Sequence, residues 1–268
     1  MKQIRVEKLI YDFVPPKNVN YENAPALEIT QDSWTGVLDN NILTCYVTKE
    51  YSSVEDARKI VEEYLQLWEF ASCFGSQENR IKFKFKDAEV KEIDFEPAQS
   101  DDSVIIEKLG TAFGVGSAHP LKTTLFVNKY PQPPQNGLKI TPNVETLQHR
   151  YINFLEDKEC LTSMAYFCLT LVEVFCGKKR GRRKSAATNL CVDLDVLDTI
   201  GELSSTKGDE KTARKFPTKG PMSQNEEAWL KVAIRRLILQ LAKYEHAKEN
   251  NLLDDLQSLA MKDLPELS

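Results

Sequence analysis

Long apolar runs are missing from this 268-residue chain: the longest, Leu161 to Cys176, covers sixteen residues and is broken by Thr162, Ser163, Thr170 and Glu173. A bilayer-spanning helix needs about 20, so the segment reads as a buried core helix and no membrane partner is expected. The opening residues, MKQIRVEKLIYDFVPP, alternate charge with hydrophobe and lack the apolar core of a signal peptide. Cys45, Cys73, Cys160, Cys168, Cys176 and Cys191 form no CxxC pair and no tight cluster with histidine. That usage points to reduced, mostly buried thiols in the cytoplasm, with no metal or other cofactor expected. His119, His149 and His246 lie far apart, and there is no GxSxG elbow and no HExxH helix. Asp193-Leu194-Asp195 lacks the glycine and terminal glutamate of a calcium loop; it reads as an N-cap followed by an exposed acid. A surplus of positive charge is absent too: 35 Lys+Arg against 40 Asp+Glu gives −5, with no overall pull toward nucleic acid or anionic membrane.

What is present divides the chain. Residues 1–140 carry 16 basic and 21 acidic side chains, whereas residues 141–268 carry 19 of each. The hydrophobic period changes at the same place, from two to 3.6. The join, Tyr130-Pro131-Gln132-Pro133-Pro134-Gln135-Asn136-Gly137, favours extended backbone and then a turn. The expected organisation is an α+β fold: an antiparallel β-rich domain with one long helix over residues 1–130, a Pro-rich linker over 131–140, and an all-α bundle over 141–268.

In the first half Ile81-Lys82-Phe83-Lys84-Phe85-Lys86 alternates strictly, the pattern of a half-buried strand. Residues 90–95 are expected to pair back on it. Residues 4–13, 26–30, 42–48, 104–107 and 123–127 are further strand candidates. Between Ser53 and Cys73, Val54, Ala57, Ile60, Val61, Tyr64, Leu65, Trp68 and Ala71 make a helical stripe, with a capping signature at Ser53/Asp56 and Gly75 as its stop. In the second half Thr141-Pro142 opens a helix and 160–176 is a central one. Residues 186–190 and 194–203 suggest two shorter helices. Ser223 with Glu226 is a capping box ahead of a long helix through Tyr244, and a short helix is expected over 252–261.

The densest charge run is Lys178-Lys179-Arg180-Gly181-Arg182-Arg183-Lys184, six cations in seven residues. Directly after the apolar helix, it complements the dipole of that helix's C-terminal end as a solvated loop. Alternatively it contacts the phosphates of RNA or DNA, or an acidic protein. With no aromatic residue inside the run, nucleic-acid binding would be salt-sensitive and sequence-tolerant. Residues 207–215 mix signs; there Arg214 and Lys215 hold helix carboxylates or reach a ligand. Glu173 interrupts the apolar helix as Arg235 and Arg236 interrupt the long one, so a buried polar network joining Glu173 to one of these arginines is expected. The only glycine-rich stretch, Gly110 to His119, completes neither GxGxxG nor GxxxxGK[ST]; it reads as a mobile loop, or as a ligand loop through Ser117 or His119.

His149-Arg150-Tyr151, Leu171-Val172-Glu173, Val196-Leu197, Ala213-Arg214-Lys215 and the helix from Glu227 to Tyr244 give residues 143–250 a resemblance to HEPN-like helical domains. In the bacterial proteins that carry such domains, some belonging to defence and toxin systems, the domain follows a β-rich one. HEPN ribonucleases place a histidine four to six residues after an arginine. Here Arg150 has no such histidine and His246 follows Arg236 by ten residues. The resemblance therefore implies a bundle that binds RNA, dimerises or senses a signal without the usual nuclease centre. The expected function is a non-catalytic interaction or sensor protein of a bacterial cytoplasmic system, defence-related and RNA-associated, with RNA, an acidic protein or a second copy as partner. The alternative is a ribonuclease or other phosphate-directed enzyme using Glu173, Arg214, Arg235 and Arg236.

Overall fold

A computed structural model of the chain describes residues 3–17, 19–21, 23–75, 80–93, 125–134, 137–176, 181–207 and 220–267. The fold is α+β. Two compact units emerge, Met1–Glu69 with Asn79–Gln132, and Phe70–Glu78 with Pro133–Ser268.

The first unit is built on alternation. Strands β1 (Gln3–Val14), β3 (Leu27–Thr30), β4 (Trp34–Asp39), β5 (Ile42–Val47) and β6 (Lys82–Ile93) form an antiparallel sheet in the order β3-β4-β5-β1-β6. A small parallel pair joins β2 (Val19–Asn20) to β7 (Leu125–Phe126). The residues after Lys86 do not pair back on those before it. Both stretches belong to the single strand β6, which runs beside β1 for its whole length. The break in alternation at Lys86-Asp87-Ala88 is absorbed by a register shift between Ile10 and Tyr11, as a bulge allows. Strand β4 was not among the expected strands; Asn40 and Asn41, at φ 48 and φ 60, turn it into β5 with the geometry of a tight hairpin. Residues 104–107 lie outside the described residues.

Helix α1 (Val54–Phe74) starts where Ser53 Oγ accepts the Asp56 N–H at 3.1 Å, and it buries Ala57, Val61, Leu65 and Trp68 in the sheet unit's core. Trp68 lies 5.0 Å from Phe83, and Phe13 meets Tyr21, Phe83 and Tyr130 edge-on. Glu69, largely buried, takes the Phe83 N–H at 2.6 Å; burial raises its carboxyl pKa against that hydrogen bond and the Lys82 charge. The last turn of α1 belongs to the second unit. Phe70 and Phe74 are fully buried in that unit's core, with Phe74 5.2 Å from the Tyr151 ring.

The helical unit contains α2 (Pro142–Leu155), α3 (Leu161–Cys176), α4 (Arg182–Leu190), α5 (Leu194–Thr206) and α6 (Gln224–Glu249). Thr141 caps α2 ahead of a first-turn proline, and Ser223 and Glu226 close a full capping box on α6. Helix α3 packs against α2, α4, α5 and α6. The expected helix over 252–261 is absent: two 3-10 turns, Leu253–Asp255 and Met261–Asp263, flank an extended stretch. Asn251, at φ 57, leaves the helical path there. Among the described residues no helix is long and apolar enough to cross a membrane.

Phe74→Ala is expected to remove about 3–5 kcal/mol from the helical unit's stability in denaturant unfolding. Ile60→Ala, on a residue 39% exposed, is expected to cost less than about 1 kcal/mol.

Candidate functional site

The basic segment does not lie wholly where the sequence suggests. Helix α4 begins at Arg182, so Arg182, Arg183 and Lys184 occupy a helix's first turn and do not trail behind α3. That end of a helix carries partial positive charge and disfavours cations. The turn contains no acid, and the residue before it, Gly181, stands at φ 64, a left-handed conformation glycine adopts without strain. Lys178, Lys179 and Arg180 lie outside the described residues.

Arg183 is compensated locally. Its Nε donates to Glu173 Oε1 at 2.6 Å and its Nη1 to Asp198 Oδ1 at 2.9 Å, so one guanidinium ties α4 to α3 and α5. Burial works against its charge, but the hydrogen bonds it donates to Asp198 and Glu173 prevail and hold the pKa above the ordinary arginine value. Gly201 makes room for it: a Cβ there would stand 2.9 Å from both terminal nitrogens of Arg183.

The expected network joining Glu173 to Arg235 or Arg236 is therefore corrected. Arg183, ten residues along the chain, brings its guanidinium to Glu173 across the short connection from α3 to α4. On α6 the buried seam runs through Ile234, Leu237, Ile238 and Leu241, and the helical period turns positions 235 and 236 to its flanks. Arg236 shares its flank with Lys243, whose ammonium pKa is lowered by burial and by the Arg236 charge. Arg214 and Lys215 lie outside the described residues, as do Gly110 to His119.

Asp198 and Gly201 were not among the expected site residues. The signal for them was a glycine inside an otherwise good helix, which costs about 1 kcal/mol against alanine and marks close approach of another group. Asp193 does stand at the N-cap of α5, but its carboxylate accepts the Met261 N–H at 3.4 Å and does not cap α5.

Two open recesses adjoin this turn. One, of about 390 Å³, is lined by Glu173, Gly181, Arg182, Arg183, Lys184, Leu194 and Asp198. The other, of about 590 Å³, lies between Lys184, Thr188, Cys191, Asp193, Leu194 and Ser258. Lys184 and Leu194 border both. Arg182 and Lys184 are exposed, and neither has an ion-pair partner among the described residues. The thiols at Cys45, Cys168 and Cys176 are pushed up to about 12, in each case first by burial. None of the six cysteines forms a disulfide among the described residues.

Comparison with protein-family models, with curated proteins and with solved structures finds no match to this chain.

Two outcomes are expected. Gly201→Ala, which gains about 1 kcal/mol of helix propensity, yields that gain only in an Arg183→Met background. With Arg183 present the added methyl displaces the guanidinium, and a double-mutant cycle reads a coupling of roughly 1 kcal/mol. Limited alkylation at neutral pH, followed by mass spectrometry, is expected to label Cys160, exposed, and Cys191, half-buried, well before Cys45, Cys168 and Cys176.

Proposed function

We propose that the chain is a non-catalytic interaction protein of a bacterial cytoplasmic system, defence-related, in which the helical unit meets an RNA backbone through its basic segment. The observation that carries this reading is the first turn of α4. Of its three cations, Arg183 is neutralised by Glu173 and Asp198, while Arg182 and Lys184 stand exposed at the end of the helix dipole that repels them. Phosphate oxygens compensate both the side chains and the free N–H groups of such a turn. The neighbouring cations Lys178, Lys179 and Arg180 extend the charge along the chain. The resemblance of residues 143–250 to HEPN-like domains supports the same partner, and the missing Arg–His spacing supports binding without cleavage.

The test is binding of labelled single-stranded RNA across a salt series. Affinity is expected to fall as salt rises. Arg182→Ala with Lys184→Ala is expected to weaken it for all sequences and to reduce the logarithmic salt slope by about 1–2. Arg183→Met should alter stability more than it alters binding. Absence of binding at low salt overturns the RNA reading in favour of an acidic protein partner. Cleavage that disappears in Arg236→Ala overturns the non-catalytic one.

A further inference from the structure

The first turn of α4 supplies charge but no group that reads a base, and the larger recess beside it supplies what that turn lacks. Lys184, Ala187, Thr188 and Cys191 line this recess from one face of α4. Lys184 and Cys191 stand seven positions apart on that face, a rise of about 10 Å. The recess therefore runs from a cation at one end to a thiol at the other, a length comparable to a nucleotide from phosphate to base. The opposite wall, from Val192 to Leu194 with Ser258, is held by backbone. The Leu259 N–H donates to the Cys191 carbonyl and the Asp193 N–H to the Leu259 carbonyl, each at 2.9 Å. Buried Gln240 donates from Nε2 to the Leu190 carbonyl at 2.8 Å and to the Gln257 carbonyl at 2.7 Å.

Charge divides the two recesses between the parts of a nucleotide. Arg182 and Lys184 border the smaller one, where the acids Glu173 and Asp198 are both taken by Arg183. In the larger one Lys184 is the only lining cation and Asp193 the only lining acid, so phosphate belongs at the Lys184 end. Ala187, Val192 and Leu194 offer apolar surface to the flat of a ring. The fixed polar groups beside them are acceptors. Thr188 spends its hydroxyl hydrogen on the Lys184 carbonyl at 3.0 Å and keeps its lone pairs. Asp193 takes the Met261 N–H on Oδ2 at 3.4 Å, which leaves Oδ1 open among the described residues. Ser258 adds a hydroxyl that serves in either sense. Such a wall matches a base whose edge carries an exocyclic amino group, as cytosine and adenine do. Uracil presents an acceptor oxygen at the same place.

We propose that the recess between Lys184 and Asp193 takes one base of the bound RNA, a base bearing an exocyclic amino group, with the adjoining phosphate on Arg182 and Lys184, an assignment that rests on RNA as the partner.

The experiment compares binding of the full chain to oligocytidylate and oligouridylate, single-stranded and of equal length, at neutral pH and low salt. The two share sugar, phosphate and ring size and differ on the base edge. Oligocytidylate is expected to bind about fivefold to tenfold more tightly. Asp193→Asn keeps an oxygen for the Met261 N–H and presents an amide donor in place of an acceptor, so the preference is expected to disappear or invert. A merely structural loss lowers both affinities and leaves their ratio unchanged. Alkylation gives a readout that needs no variant, with Cys160, outside the recess, as reference. Saturating oligocytidylate is expected to slow labelling of Cys191 several-fold, and inorganic polyphosphate to leave it unchanged. Equal affinity for the two homopolymers, or Cys191 labelling that oligocytidylate does not slow or that polyphosphate slows as much, overturns the base contact while RNA binding stands. Failure of both homopolymers to bind overturns RNA as the partner, and the base contact with it.

Discussion

Helix α3 is apolar nearly all round, and a helix of that composition has to be enclosed. Everything in the second unit follows from this requirement. Met164, Ala165, Cys168, Leu169, Val172 and Cys176 are buried along one broad face of α3, against which α2, α4, α5 and α6 pack, while Ser163, Thr170 and Val174 on the other side are exposed. The small residues Ala186 and Ala187 let α4 approach α3 closely, although α4 is only nine residues long and weakly amphipathic. At the last turn of α3 two large apolar side chains reach water, Val174 58% and Phe175 39% exposed. There the Lys248 ammonium stands 5.8 Å from both the Phe175 and the Tyr244 rings. The long stem of lysine covers apolar surface while its charge stays wet.

Enclosure alone does not choose one arrangement, because apolar packing has little directionality. The polar groups at the edge of the core supply it. Arg183 binds one carboxylate on each of two neighbouring helices, so rotating any of α3, α4 or α5 breaks a hydrogen bond. Arg150 stacks over Phe167 and approaches Glu159 at 2.8 Å, fixing the turn from α2 into α3. Gln240 satisfies two carbonyls that would otherwise be buried without donors. The Arg183 ties are partly solvated, so they contribute little free energy and much geometric specification.

Features set by local chemistry were legible from the sequence. The capping box at Ser223, the Thr141-Pro142 start, the α1 stripe and the alternation from Ile81 to Lys86 depend on residues within a turn or two of one another. Features set by long-range choice were not. Residues 82–93 could have folded on themselves, and the alternation carries no information about which distant strand becomes the neighbour; β1 prevailed by offering a partner of equal length. The hairpin at Asn40-Asn41 was readable in principle, since asparagine tolerates the left-handed backbone, but β4 carries a glycine under Trp34 that blurs its strand pattern. Glu173 was correctly marked as needing a cation. The sequence pattern pointed to Arg235 or Arg236, and only the packing of α4 selected Arg183. The recess around it was invisible for the same reason.

The net charge of −5 is least informative where it would be most wanted. The acidic surplus belongs to residues 1–140, and residues 141–268 balance. Within that balanced half, pairing redistributes what is available: Lys207 is held by Glu226 at 2.9 Å, Lys231 by Glu227 at 2.7 Å, and Arg183 by two carboxylates. Among the described residues Arg182 and Lys184 have no such partners, at the helix end where the backbone already repels them. Were solubility their only use, any other surface position would serve at lower cost. Two cations retained against the local field are more informative about a partner than a larger number of cations placed where the field welcomes them. The same logic separates Arg183 from its neighbours: a compensated arginine belongs to the fold, and an uncompensated one is available to a ligand.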